Sequence, residues 1–266
     1  MSHNNNFRYA LPRAFAALGV AFAVHASCAA QGGTTTAAVG NVNGVGMFAP
    51  TAGAVPAPWT LVQLNKKVPP TQYRLDVWEG VAAIRANAQA SMALMARPLT
   101  IDLQATPVLC WRWRIGGVVQ SADMATKKGD DYAARVYIAF SLPAPALSFA
   151  TRTKLGIARA IYGDQVPDAA VNYVWDNRHP VGTRAVNAYT DRAQMVVQRS
   201  GNAQAGQWVN ERANVLADVR QAFGTDPIQA TLLAVASDTD NTGETAEAGF
   251  ADLHFVAADA PCGFGK

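Results

Sequence analysis

Apolar and polar residues alternate with a period of two along much of this chain, which predicts strands with one buried face. Tyr73, Leu75 and Val77 alternate with Arg74 and Asp76, and Glu79-Gly80 then turns the chain into the run 81–86, a hairpin. The clearest strand is 108–115: Leu109, Trp111, Trp113 and Ile115 share one face, and Cys110, Arg112 and Arg114 share the other. Val136, Ile138 and Phe140 face opposite to Arg135 and Tyr137. Further strands are predicted at 171–175, 185–189, 194–199, 228–236 and 250–256. Helical spacing predicts two short helices. One spans 154–162 and stops at Gly163; the other spans 215–223, with Val215, Val219 and Phe223 on one face, and stops at Gly224.

Many short strands and two short helices predict a mainly β chain, an antiparallel β-sandwich of jelly-roll kind. In such a sandwich the run 250–256 is expected to pair near the strand that starts at Trp59. Domain organisation follows from composition. Residues 1–30 read as a secretory signal: Arg8 and Arg13 precede an apolar run at 14–24, then small residues around Cys28. That run is too short to span a bilayer. The expected location is periplasmic or secreted; a lipoprotein anchored at Cys28 is the weaker alternative, because His25 stands where Leu is usual. Residues 31–57 are uncharged to Pro58 and rich in Gly, Ala, Thr, Val and Pro, a flexible lead ordered only near Met47-Phe48. Residues 58–266 form a single domain.

The chain has 22 basic and 19 acidic residues, a net charge of +3. Two of the arginines lie in residues 1–30, which hold no acid, leaving 20 against 19, or +1. Nothing here suits a nucleic-acid partner. With Cys28 in the signal, Cys110 and Cys262 remain, and an oxidising compartment favours a disulfide between them. Two separate buried thiols are the alternative.

The residues that suggest chemistry cluster in two acidic turns. The first is Gly129-Asp130-Asp131-Tyr132; the second runs from Ser237 through Asp238, Asp240, Asn241 and Thr242 to Gly243. Asp238, Asp240 and Thr242 match the first half of a calcium loop, with Gly243 at position six, but position twelve is Gly249 where a bidentate Glu belongs. Calcium held by Asp238, Asp240 and Thr242 stands beside an Asx-type turn whose side chains cap their own backbone. Asp130 and Asp131 either bind a ligand or serve Arg135, which needs a carboxylate from another strand, such as Asp240. Of the six tryptophans, Trp111 and Trp113 read as core. Trp175, followed by Asp176-Asn177-Arg178-His179, reads as a surface ring on which a sugar could stack.

Taken together, these motifs resemble a bacterial family catalogued as domain of unknown function 3047. The matching residues are Pro70-Thr71-x-Tyr73, Leu109-x-Trp111-Arg112-Trp113, Gly129-Asp130-Asp131-x-Ala133-Ala134-Arg135-Val136-Tyr137, Asn172-Tyr173-Val174-Trp175, Gly206-x-Trp208 with Asn214, and Asp238-x-Asp240-Asn241-Thr242-Gly243. The resemblance implies an exported bacterial domain that looks like a lectin or carbohydrate-binding sandwich, and no established activity. The functional expectation is a non-enzymatic domain binding a glycan or similar polyhydroxylated ligand through Asp130, Asp131, Arg135, Trp175, Asp176 and Asn241, with calcium in support. A polysaccharide hydrolase or lyase using the acidic turns is one alternative, and a structural envelope protein is another. No nucleophile elbow, phosphate loop or dinucleotide fingerprint is present.

Overall fold

The structure, a computed structural model, describes residues 43–162 and 166–265. The expected signal at 1–30, the lead as far as 42 and the stop residue Gly163 lie outside the described residues. The described chain folds as thirteen strands and two helices: β1 Asn43–Gly46, β2 Thr60–Val62, β3 Gln72–Trp78, β4 Val81–Gln89, β5 Leu94–Ile101, β6 Val108–Ile115, β7 Tyr132–Ser141, α1 Phe149–Tyr162, β8 Ala169–Asp176, β9 Arg184–Asn187, β10 Thr190–Ser200, β11 Val209–Asn214, α2 Val215–Phe223, β12 Gln229–Asp238 and β13 Thr245–Val256.

Two sheets face each other. The first has the order β11-β6-β13-β4-β3, with β1 also paired to β13; the second has the order β2-β5-β12-β7-β8-β10-β9. All pairs are antiparallel except β8 with β10. The predicted sandwich is therefore present. The inward stripe read on β6 is also present: Leu109, Trp111, Trp113 and Ile115 are fully buried. They meet the other sheet ring to ring, Trp113 against Trp175 at 5.6 Å and Trp111 against Tyr173 at 5.5 Å between centroids. Aromatic pairs at such spacings contribute about 0.5–1.5 kcal/mol each beyond the area they bury.

The termini are joined differently from expectation. β13 pairs with β1, while the strand after Trp59, β2, pairs with β5 in the other sheet. Part of the expected lead is thus built into the sandwich: Val45 of β1 is buried, and the Val45 carbonyl accepts from Arg97 Nη1 at 2.6 Å. α2 occupies the predicted residues; Asn214 caps it, accepting from Ala217 N at 2.9 Å, and Gly224 ends it in the left-handed region at φ 66°. α1 begins earlier than predicted, after Ser148, whose hydroxyl accepts from Thr151 N at 3.1 Å. The disulfide Cys110–Cys262 is present, with Cα atoms 5.8 Å apart, and ties the residues after β13 onto β6. No helix among the described residues is long and apolar enough to cross a membrane.

Candidate functional site

The two acidic turns come together around one buried cation. Asp238 ends β12 opposite Tyr132, which begins β7. Arg135, three residues into β7 and 2% exposed, grips Asp238 bidentately, Nε to Oδ1 at 2.9 Å and Nη2 to Oδ2 at 2.7 Å. It also reaches Asp130 at 3.2 Å and donates to the Tyr137 hydroxyl at 3.0 Å. The carboxylate arriving from another strand is therefore Asp238, not Asp240, because strand pairing places Asp238 beside Tyr132. Asp131 is fully buried and caps the second turn, accepting from Asn241 N and Nδ2 at 3.0 Å each and from Thr242 N at 2.6 Å. Asp130 accepts from Asn187 Nδ2 at 2.9 Å. The remaining polar group of Asn241, its Oδ1, receives the hydroxyl of the exposed Tyr189 at 2.6 Å.

These assignments bear on the calcium expectation. Asp131, Asp238 and Asp240 each place an oxygen within 4.8 Å of the others. Yet Asp238 is committed to Arg135 and to Tyr132 N, Asp131 is committed to two backbone N–H groups, and Thr242 Oγ1 accepts from Glu244 N at 3.4 Å. Calcium needs six to eight oxygens, and a guanidinium already stands where its charge would go. The donor set of Asp238, Asp240 and Thr242 does not fit that ion. Burial pushes the Asp238 carboxyl up to about 8, opposed by Arg135 and reinforced by Asp131 and Asp130. Asp240 is also raised, by burial first and Asp131 next. Arg135 pairs with Asp238 and Asp130, and the Asp131 and Asp240 carboxyls crowd against Asp238 without a guanidinium of their own.

Two further expected ligand residues are spent inside the fold. Trp175 is 1% exposed, and its Nε1 donates to the Gly201 carbonyl at 2.9 Å. Its parity with Val171 and Tyr173 on β8 turns it inward, which corrects its reading as a surface ring. Asp176, fully buried, accepts from the backbone N–H groups of Arg178 and His179 at 2.8 and 2.6 Å. It shapes the turn after β8 rather than meeting a ligand.

The surface best built for a ligand lies elsewhere, on the outer face of the first sheet. Gly249 of β13 sits between Arg85 of β4 and Arg114 of β6. Ala83, Val81 and Ala251 continue a floor of small side chains against which Trp208 packs. Trp208 and Trp78 meet edge to face at 6.1 Å over this floor, and Trp208 Nε1 donates to the Trp78 carbonyl at 3.0 Å. A side chain at Gly249 would strike both: an added Cβ would stand 2.7 Å from Trp208 and 3.1 Å from Trp78. Arg85 and Arg114 place their guanidinium carbons 4.4 and 4.6 Å from the Trp78 ring centre. The arginines around the tryptophans each have an acid: Arg85 has Asp76 and Glu247, Arg114 has Glu79, and Arg112 has Asp252. Beside the tryptophans opens a groove of about 690 Å³, lined in part by Gln72, Asn87, Gln89, Thr245 and Glu247. Gln72, Asn87 and Glu247 form one row across three strands. The amides of Gln72, Asn87 and Gln89 make no side-chain hydrogen bond to another described residue. Sequence reading had placed Arg112 and Arg114 together but missed this pair of tryptophans, since Trp78 closes a hairpin and Trp208 precedes a strand. The short residues at 249 and 251 were the available signal.

Fold and surface together define a two-sheet β-sandwich with an open polar groove and a tryptophan pair on one outer face. The chain belongs to the family described as protein of unknown function (DUF3047), whose sequence profile matches residues 57–254. No curated protein matches it. Among solved structures it is similar to a family 30 carbohydrate binding module, at 10% identity over 85% of this chain and 92% of that one, TM-score 0.39. It is similar also to the family 30 carbohydrate-binding module of the cellulosomal cellulase Cel9D-Cel44B of Clostridium thermocellum, at 10% identity over 82% and 92%, TM-score 0.34. A third is the xyloglucanase domain of NopAA from Sinorhizobium fredii, at 7% identity over 77% and 100%, TM-score 0.33.

Proposed function

We propose that this is an exported, non-catalytic sandwich that binds an uncharged glycan along the outer face of its first sheet, from the amide-lined groove to Trp78 and Trp208. The observation that carries this reading is the row of uncommitted amides, Gln72, Asn87 and Gln89, in an open groove beside two half-buried tryptophans. Amides both donate and accept, which suits hydroxyl groups, and the indole faces suit the apolar faces of sugar rings. Each arginine beside the tryptophans is already neutralised by an acid on the same face, which favours a neutral ligand over an anionic one. Thr245 and Gly249 are four residues apart on β13, so the strip extends about 13 Å along the strand, long enough for a chain rather than a single ring. Glu247 is the one carboxylate among the described residues lining the groove. That supports binding over paired-carboxylate hydrolysis, which needs two.

Affinity electrophoresis of the domain through gels containing neutral or anionic soluble polysaccharides tests the reading. Retardation by a neutral chain, lost in Trp208→Ala, is expected. Equal retardation of Trp208→Ala, or none by any glycan, refutes it.

A further inference from the structure

The C-terminal residues after β13 lie against the outer face of β6 and β13, and they bring two sulfurs and an imidazole to one point. Cys110 of β6 and His254 of β13 are register partners, and both are fully buried. Cys262 reaches them from the tail and is bonded to Cys110. One donor atom from each of Cys110, His254 and Cys262 lies within 4.8 Å of the other two. The tail covers His254, with Phe264 edge-on at 5.7 Å.

The imidazole is fixed in the form that a metal requires. Nδ1 stands 2.5 Å from the Asp252 carbonyl oxygen. That oxygen only accepts, so Nδ1 carries the proton and Nε2 keeps its lone pair. Nε2 accepts a long bond from Gly263 N at 3.2 Å, next to Cys262. Pinning one ring nitrogen to a backbone carbonyl so that the other faces the ligand set is how metal-binding histidines are oriented.

We propose that the reduced chain binds one Zn²⁺ through Cys110 Sγ, Cys262 Sγ and His254 Nε2, with the fourth position open, and that this site and the disulfide are alternative states. A dithiol reductant attacks the Cys110–Cys262 bond, forms a mixed disulfide and leaves as its own cyclic disulfide. Two electrons and two protons pass to the chain, giving two thiols. Zn²⁺ then replaces both thiol protons, which go to solvent. Tetrahedral zinc with bonds of about 2.3 Å to sulfur and 2.0–2.1 Å to nitrogen places its donors roughly 3.5–3.8 Å apart. Reduction frees the two bonded sulfurs to separate to that spacing, and a ring nitrogen of His254 lies within 4.8 Å of both. Two thiolates and an imidazole select zinc-like ions over magnesium or calcium.

The test uses the full chain, reduced with dithiothreitol under argon, freed of reductant by gel filtration, and titrated with Co²⁺ and then Zn²⁺ beside the oxidised chain. One ion per reduced chain is expected, with thiolate-to-cobalt charge-transfer absorption that Zn²⁺ abolishes and the oxidised chain lacks. Cys262→Ser and His254→Gln are each expected to weaken binding by about tenfold or more. Reduced wild type is the reference, since it has lost the same cross-link, and circular dichroism verifies the fold of each variant. His254→Gln keeps both cysteines, so it tests the site even where Cys262→Ser unfolds. Absence of thiolate charge transfer in reduced wild type at millimolar Co²⁺, or undiminished binding by folded His254→Gln, overturns the proposal.

Discussion

Raising the pH from 6 to 8 is expected to destabilise this protein, the reverse of what paired surface carboxylates produce. The cause is the buried cluster around Arg135. The Asp238 carboxyl has an ordinary value of 3.8 and is pushed up to about 8 in the fold. A raised acid favours the folded state when protonated. Its contribution is fully present below pH 3.8 and is lost as pH rises through 8. Linkage between those two values makes the loss from pH 6 to pH 8 roughly 2 kcal/mol. For a domain of this size that lowers Tm by about 4–9 °C. Asp240 is half-buried, lies within 4.8 Å of Asp131 and Asp238, and has no guanidinium of its own. Replacing it by Asn removes one of four like charges. After solvent screening, Asp240→Asn should stabilise the protein at pH 8 by ~1 kcal/mol and flatten the pH slope. Calorimetry of both proteins at pH 6, 7 and 8 checks this. A wild-type Tm that is constant or rises from pH 6 to 8, or an Asp240→Asn protein less stable than wild type at pH 8, refutes the electrostatic account of the cluster.

Other expectations follow from single contacts. Asp131→Ala strands the N–H groups of Asn241 and Thr242 and should cost ~2–4 kcal/mol in urea unfolding. Gly249→Val should drive Trp208 and Trp78 off the sheet, costing ~1–3 kcal/mol and weakening glycan retardation by about tenfold or more. Cutting the Cys110–Cys262 link by reduction, in metal-free buffer, should cost ~2–5 kcal/mol, read as a lower urea midpoint.

Much of the sandwich was legible because its inward positions are apolar at a period of two, as on β6 and β7. β11 was not, because its buried face reads Val209, Glu211, Ala213. Glu211 is tolerated there because Arg199 and the Trp113 indole satisfy it, at 2.8 and 3.0 Å, and no local pattern announces such partners. β5 was hidden by Pro98 and by the lack of alternation in Leu94–Ile101. β1 was hidden by its glycines. One of the two readings of Asp130 and Asp131 brought the acidic turns together at Arg135, since a buried arginine demands a carboxylate. Their pairing register, which decides between Asp238 and Asp240, exists only in the sheet. Trp175 was misread because its polar neighbours outweighed its strand parity. Trp78 and Trp208 were missed because 130 residues separate them.

Nuclear magnetic resonance titration with the neutral glycan that retards the protein most strongly tests the central claim directly. The six tryptophan indole signals and the side-chain amides report both faces at once. Shifts are expected at the Trp78 and Trp208 indoles and at the amides of Gln72, Asn87 and Gln89, with Trp111, Trp113 and Trp175 unmoved. Shifts confined to Asn241, Asn187 and the turn around Tyr189 would contradict it, and would return the ligand to the acidic turns.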